Sequence, residues 1–284
     1  MDDPIFDSQM AVAGSGRDQL IAALRSARED GETCLFPYMT AGLPDRLSSL
    51  SMFEAMAAAG ADGFEVGIPY SDPLMDGPTI HEAGLRAIDG GMSMDRGIEL
   101  MAAVRRRTGK PVIVMSYVNP VLRMGLDTFG KVAAEAGASA VILADLPVDE
   151  ARPFGEAFAA HDVGLVLFLA PTSGDDRVDS VIAAAPTFIY GVAEVGVTGE
   201  RSDASSHAAS LAVRVRERTD IPLVLGVGIS TPVHAVAAAA VADGIIVGSA
   251  LVRRVLDAAD SETAASELGV AVSELAVAIA NSER

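Results

Sequence analysis

The chain has 284 residues, half of them apolar, and a formal net charge of −18. That length holds one large domain or two small ones, with enough apolar side chains for a sizeable core. The charge argues against nucleic acid, whose phosphates it would repel, but leaves room for a small phosphorylated molecule held by backbone N–H groups.

Residues 1–14 read as a flexible, acidic tail, and a helix is predicted over 18–30. A rhythm of short apolar runs then begins at 33–39 and 63–66. It continues at 112–115, 140–143, 164–169, 187–192, 223–227 and 244–247. Each run is apolar throughout rather than alternating, as expected of strands covered on both faces. Ala-rich amphipathic stretches lie at 47–59, 94–107, 127–136, 148–160, 175–184, 206–218, 231–240 and 249–258. Gly60 and Gly137 stand where helices should stop before the next strand. Strict alternation means parallel βαβ units, and eight of them fit a closed barrel better than an open sheet. The expected fold is α/β: a single (β/α)8 TIM barrel over residues 15–284, with an extra N-terminal helix and a C-terminal helix at 261–282.

Residues 221–242 carry no Asp, Glu, Lys or Arg, but Pro222, Gly226, Gly228 and Pro232 interrupt them. A strand, turn and helix is expected there rather than a membrane span. Cys34 is the single cysteine, so no internal disulfide can form. With the acidic start Met1-Asp2-Asp3-Pro4, where a secretory leader would be basic, it points to a cytoplasmic protein.

In such barrels the site lies where the strands end. The second strand runs into Phe64-Glu65-Val66-Gly67-Ile68-Pro69-Tyr70-Ser71-Asp72-Pro73-Leu74-Met75-Asp76-Gly77-Pro78-Thr79. Glu65 sits inside the apolar run, where desolvation should raise its pKa and suit it to moving protons near neutrality. On position alone, an ion pair inside the barrel explains it equally well. Asp72 and Asp76 follow in a loop stiffened by three prolines. Asp72, before Pro73, most simply satisfies its own turn, and Asp76 stays open. Glycine turns end the late strands, at Gly196-Val197-Thr198-Gly199, Gly226-Val227-Gly228 and Gly248-Ser249. Together they suit a phosphate, which backbone N–H groups and a helix N-terminus would hold. His81, His161, His207 and His234 have no metal spacing. Tyr190 reaches the pocket or merely packs. Asp145-Leu146-Pro147 is a pocket wall or an interface edge, and Arg105-Arg106-Arg107 suits a helix C-terminus.

The segment Phe64–Thr79 closely resembles the signature of tryptophan synthase α subunits. The resemblance extends to Phe36-Pro37-Tyr38-Met39-Thr40-Ala41-Gly42, Met115-Ser116-Tyr117-Val118-Asn119-Pro120 and Ala144-Asp145-Leu146-Pro147. It resumes in the three glycine turns and covers roughly residues 15–280. It implies a lyase that cleaves indole-3-glycerol phosphate to indole and glyceraldehyde 3-phosphate in tryptophan biosynthesis. Glu65 would then be the general acid–base. Asp76 would bind the indole N–H, and Tyr190 would support Glu65. Tyr38 and Met115 would line the indole pocket. Gly199, Gly228, Gly248 and Ser249 would hold the phosphate, and Thr198 would close a mobile loop over Asp76. No metal or organic cofactor is implied in this chain. Pyridoxal phosphate belongs to the β subunit expected as partner in an α2β2 complex, facing the loops with Pro69, Asp72, Asn119 and Pro147.

Two positions depart from the family pattern. Ala193-Glu194 replace a Ser and a neutral or basic residue before the sixth-strand glycine turn, and Leu43 replaces a frequent Asp. An acidic side chain near a phosphate weakens binding unless it points away. The alternatives are a stand-alone lyase releasing free indole and a barrel that only binds or regulates.

Overall fold

The computed structural model describes residues 15–192 and 203–282. Its strands are β1 (Cys34–Thr40), β2 (Phe64–Gly67), β3 (Val112–Ser116), β4 (Ala138–Leu143), β5 (Gly164–Leu169), β6 (Ile189–Val192), β7 (Leu223–Gly226) and β8 (Gly244–Val247). Each pairs in parallel with its neighbour in sequence, and β1 closes on β8, so the sheet is a barrel with no edge. The apolar runs follow from this closure. One face of each strand fills the barrel and the other lies under helices, so neither face calls for polar residues.

The helices are α1 (Gly16–Asp30), α2 (Arg46–Ala58), α3 (Pro78–Asp89), α4 (Met94–Thr108), α5 (Val118–Met124) and α6 (Leu126–Glu135). They continue with α7 (Ala151–Ala159), α8 (Asp175–Ala183), α9 (Asp203–Arg216), α10 (Pro232–Ala239), α11 (Ser249–Asp257) and α12 (Ser261–Ala280). Gly60 and Gly137 stop helices at φ 106° and 82° respectively, as expected. Two helices were not expected. α3 buries only Ala83, Gly84 and Ala87, too small to show an apolar stripe. α5 is seven residues long, and a proline in its first turn disguises it as loop. A 3-10 turn at Val148–Glu150 precedes α7, so that helix begins later than the pattern at 148–160 predicts.

α1 lies across the N-terminal ends of the strands. Ser15 caps it by accepting from the Asp18 N–H at 3.2 Å. Leu20 and Leu24 are buried, and Arg28 donates to both oxygens of Asp243, at 2.9 and 2.6 Å. Asp243, fully buried just before β8, also accepts from the Leu223 N–H at 2.8 Å and pairs with Arg216 at 3.5 Å. Burial pushes its carboxyl up, but Arg28, the Leu223 N–H and Arg216 outweigh that and hold it below the ordinary range.

Residues 221–242 become β7, a turn and α10. α12 is long and apolar enough to cross a membrane, but it packs on α2, α10 and α11. Leu43, buried, precedes a cis peptide bond to Pro44.

Candidate active site

The Phe64 ring meets Phe53 of α2 edge-on, with centroids 5.2 Å apart. Strand alternation therefore turns Glu65 the other way, into the barrel. There it is 5% exposed, and its Oε2 has no hydrogen-bond partner among the described residues. Burial raises its pKa from 4.5 to about 8, with a smaller push from the charge of Asp76.

Tyr38 stands opposite Glu65 in the β1–β2 register. Its hydroxyl lies 3.4 Å from Thr40 Oγ1. Tyr190 on β6 stacks at a tilt on Phe168, centroids 5.0 Å apart. Burial first, and carboxylate charge second, raises both phenols well above their ordinary pKa. Asp76 and Glu65 act on Tyr38, and Glu65 acts on Tyr190. Both phenols therefore stay protonated and available as donors. Two glycines make room for them. A Cβ on Gly67 would lie 2.2 Å from the Tyr38 hydroxyl, and one on Gly226 would lie 1.8 Å from that of Tyr190.

Asp76 comes from the loop between β2 and α3, where its N–H donates to Pro73 O at 3.1 Å. Burial raises its pKa, while Tyr117 and His81 act against that rise. The Tyr117 hydroxyl, just after β3, interacts with this carboxyl and draws its pKa down. The negative charge of Asp76 adds to the upward push on Glu65. The outer part of the loop is held by Tyr70, whose hydroxyl accepts from Asn119 Nδ2 at 2.9 Å. Asp72 satisfies its own turn, accepting from Ser71 Oγ at 2.6 Å. Asp145 accepts from the Val118 N–H at 2.8 Å and so holds the start of α5.

The phosphate-type features lie across the mouth. Val227 and Gly228 both take φ 75° after β7. That is routine for glycine and strained for a β-branched residue. α11 opens at Ser249 with Gly248 before it and no side-chain cap. Its first bonds to Gly248 O come from Leu251 and Val252, at 2.9 and 3.1 Å, which leaves the N–H groups of Ser249 and Ala250 without intrahelical acceptors. Tyr38 lies beneath, with its ring 3.5 Å from where a Cβ on Gly248 would stand.

The barrel thus brings Glu65, Asp76, Tyr38 and Tyr190 together, with Gly228, Gly248 and Ser249 at the same end. Met115 is buried on β3 beside Gly67, and its carbonyl accepts from the Ile68 N–H at 2.9 Å. Thr198, Gly199, Ala193 and Glu194 lie outside the described residues, as does the 1–14 tail. Sequence reasoning passed over Tyr117. The one signal for it was an aromatic hydroxyl ending the strand next to the one that carries Glu65. Among the described residues, no three His, Cys, Asp or Glu side chains are grouped to hold a metal ion.

The model of the tryptophan synthase alpha chain family matches residues 24–280. A tryptophan synthase alpha chain from Chloroflexus aurantiacus is 41% identical over 263 residues, covering 92% of this chain and 97% of its own. One from Chloroflexus aggregans is 44% identical over 236 residues, covering 83% of this chain and 88% of its own. Among solved structures, the alpha subunit from Legionella pneumophila superposes with a TM-score of 0.82 at 31% identity, over 95% of this chain and all of that one. A chain of Mycobacterium tuberculosis tryptophan synthase gives 0.82 at 35% identity, over 91% of this chain and 96% of that one. A family match over nearly the whole barrel, at these identities, settles the kinship: the chain belongs to the tryptophan synthase alpha chain family.

Proposed function

We propose that this lyase of tryptophan biosynthesis works through Glu65 and Asp76, splitting indole-3-glycerol phosphate into indole and glyceraldehyde 3-phosphate. The observation that carries the reading is the buried carboxyl of Glu65, whose Oε2 has no hydrogen-bond partner among the described residues and whose pKa burial raises to about 8, with Asp76 close enough to act on it. A carboxyl that keeps its proton to about pH 8 can serve as the acid, and a second carboxyl beside it can meet a developing positive charge. Glu65 gives its proton to indole C3, and the positive charge that appears on the ring nitrogen is met by Asp76 through the N–H. Glu65, now a carboxylate, takes the proton of the adjacent side-chain hydroxyl. The carbonyl forms, the bond to C3 breaks, and its electrons return to the ring. One proton is given and one taken, so Glu65 ends as it began.

Tyr190 and Tyr38 stay neutral and border the ring from β6 and β1, with Met115 on β3. Tyr117 steadies Asp76. Gly228, Gly248 and Ser249 present N–H groups to the phosphate, and the α11 dipole adds to them. The indole ring is itself the electron sink, so no organic cofactor is required in this chain.

The partner is a β subunit, which carries the pyridoxal phosphate. Support comes from the rim of the mouth, where Leu74 is 88% exposed, Met75 65% and Leu122 53%. Apolar side chains this exposed, beside the site, suit a protein surface. Indole release by the purified chain, alone and then with a β subunit, tests the proposal in cytoplasm-like reducing buffer. Slow turnover with strong activation supports it. Fast turnover without activation makes the chain a stand-alone lyase, and no indole in either case refutes the reaction.

A further inference from the structure

Asp76 stands at one end of the site and the α11 N-terminus at the other, and one side chain joins their supports. Asp76 is three residues before Thr79, in the first turn of α3. No side chain caps α3. Among the described residues, every side-chain hydrogen bond from α3 to another element runs to α11. Arg253 Nη2 donates to Thr79 Oγ1 at 2.9 Å, and its Nη1 to Glu82 Oε2 at 3.3 Å. Arg86 Nη1 donates to Leu256 O at 3.4 Å, and Glu82 links the two arginines by accepting from Arg86 Nη2 at 2.7 Å. Arg253 is one helical turn beyond Ser249, so the helix that ends at the phosphate N–H groups also grips the helix that ends the Asp76 loop.

We propose that Arg253 is a positioning residue that couples phosphate binding to the placement of Asp76. The planar guanidinium suits this because it reaches Thr79 and Glu82 at once, which an ammonium cannot do in fixed geometry. The hydrogen bond from Asn119 to Tyr70 is six residues from Asp76, so Thr79 anchors the loop backbone closer to it, while Tyr117 acts on the carboxyl itself. The kinetic consequence rests on the lyase reading above, whereas the mechanical one does not. An anion on α11 fixes that helix, α11 fixes α3 through Arg253, and the loop 68–77 is held for the indole N–H.

The test compares wild type, R253M, R253K, T79V and the R253M/T79V double variant. Amide hydrogen exchange over residues 69–79 is followed with and without inorganic phosphate. Phosphate is expected to slow exchange in this segment of the wild type, and this slowing is lost in R253M and in T79V. In kinetics, R253M loses on the order of tenfold in kcat/KM, mostly in kcat, because Asp76 is misplaced while the backbone N–H groups are intact. R253K recovers part of the loss, and the double variant is no worse than the worse single one. T79V, nearly isosteric, decides the matter if R253M folds poorly. The proposal is overturned if phosphate leaves 69–79 unprotected in the wild type. It is also overturned if R253M and T79V keep the protection, or if exchange rises evenly over the whole chain. A wild type that releases no indole refutes the lyase reading alone, because the exchange measurement still decides the coupling.

Discussion

Glu65→Gln separates the cost of the site from its use. The folded state holds a proton on Glu65 up to about pH 8, whereas in the unfolded chain that proton leaves near 4.5. Over that interval the native state binds more protons, so this residue's contribution to stability falls as pH rises. Between about pH 5.5 and 8.5 the loss amounts to about 3 kcal/mol, or roughly 6 °C in Tm for a chain of this size. Glutamine keeps the shape and removes the ionisation, so the Tm of E65Q should fall less than that of the wild type by this amount. The same variant should lose about 10²- to 10⁴-fold in indole release, since its amide cannot deliver a proton to C3. Calorimetry across pH, paired with the indole assay, reads both. Parallel Tm curves for the two proteins would show that Glu65 ionises in the ordinary range. Retained turnover would remove it from the chemistry.

Turnover by the wild type should fall as pH rises through about 8, where Glu65 ionises and no longer protonates C3, and a flat profile there contradicts the assignment. Gly226→Ala places a Cβ 1.8 Å from the Tyr190 hydroxyl, so Tm drops by the equivalent of about 2 kcal/mol and turnover falls with it. Unchanged values would mean that Tyr190 moves freely. Asp243→Asn leaves Arg28 and Arg216 without their shared anion and destabilises by about 3 kcal/mol, measured by urea unfolding at neutral pH. Because Asp243 is held below its ordinary pKa, the wild-type advantage is present at neutral pH and shrinks as pH falls into the carboxylate range. Val227→Gly relieves a β-branched residue at φ 75° and raises stability by about 1 kcal/mol, and a lower Tm would show that the strain is not there.

The barrel was legible because burying both faces of a strand leaves an uninterrupted apolar run, and eight such runs have few arrangements. Glu65 was legible for the opposite reason, as a charge where the run should be unbroken. α3 was not legible, because Ala83, Gly84 and Ala87 bury a face without an apolar signature. Tyr117 escaped because its value lies in a contact with a residue 41 positions earlier, Asp76. Gly226 reads in sequence as part of a phosphate turn, and the structure adds a clearance for the Tyr190 ring, which no local pattern encodes.

The hydrogen bonds and ion pairs that bind α1 to the barrel through Arg28, Asp243 and Leu223 all sit at the strands' starting ends, while Glu65, Asp76 and Ser249 sit near or beyond the finishing ends. A library of variants confined to residues 68–77, 117–125 and 144–150 would therefore leave these fastenings untouched. Such a chain could be given new rims, and with them new substrates or a new docking partner, while still folding on the anchors it already has.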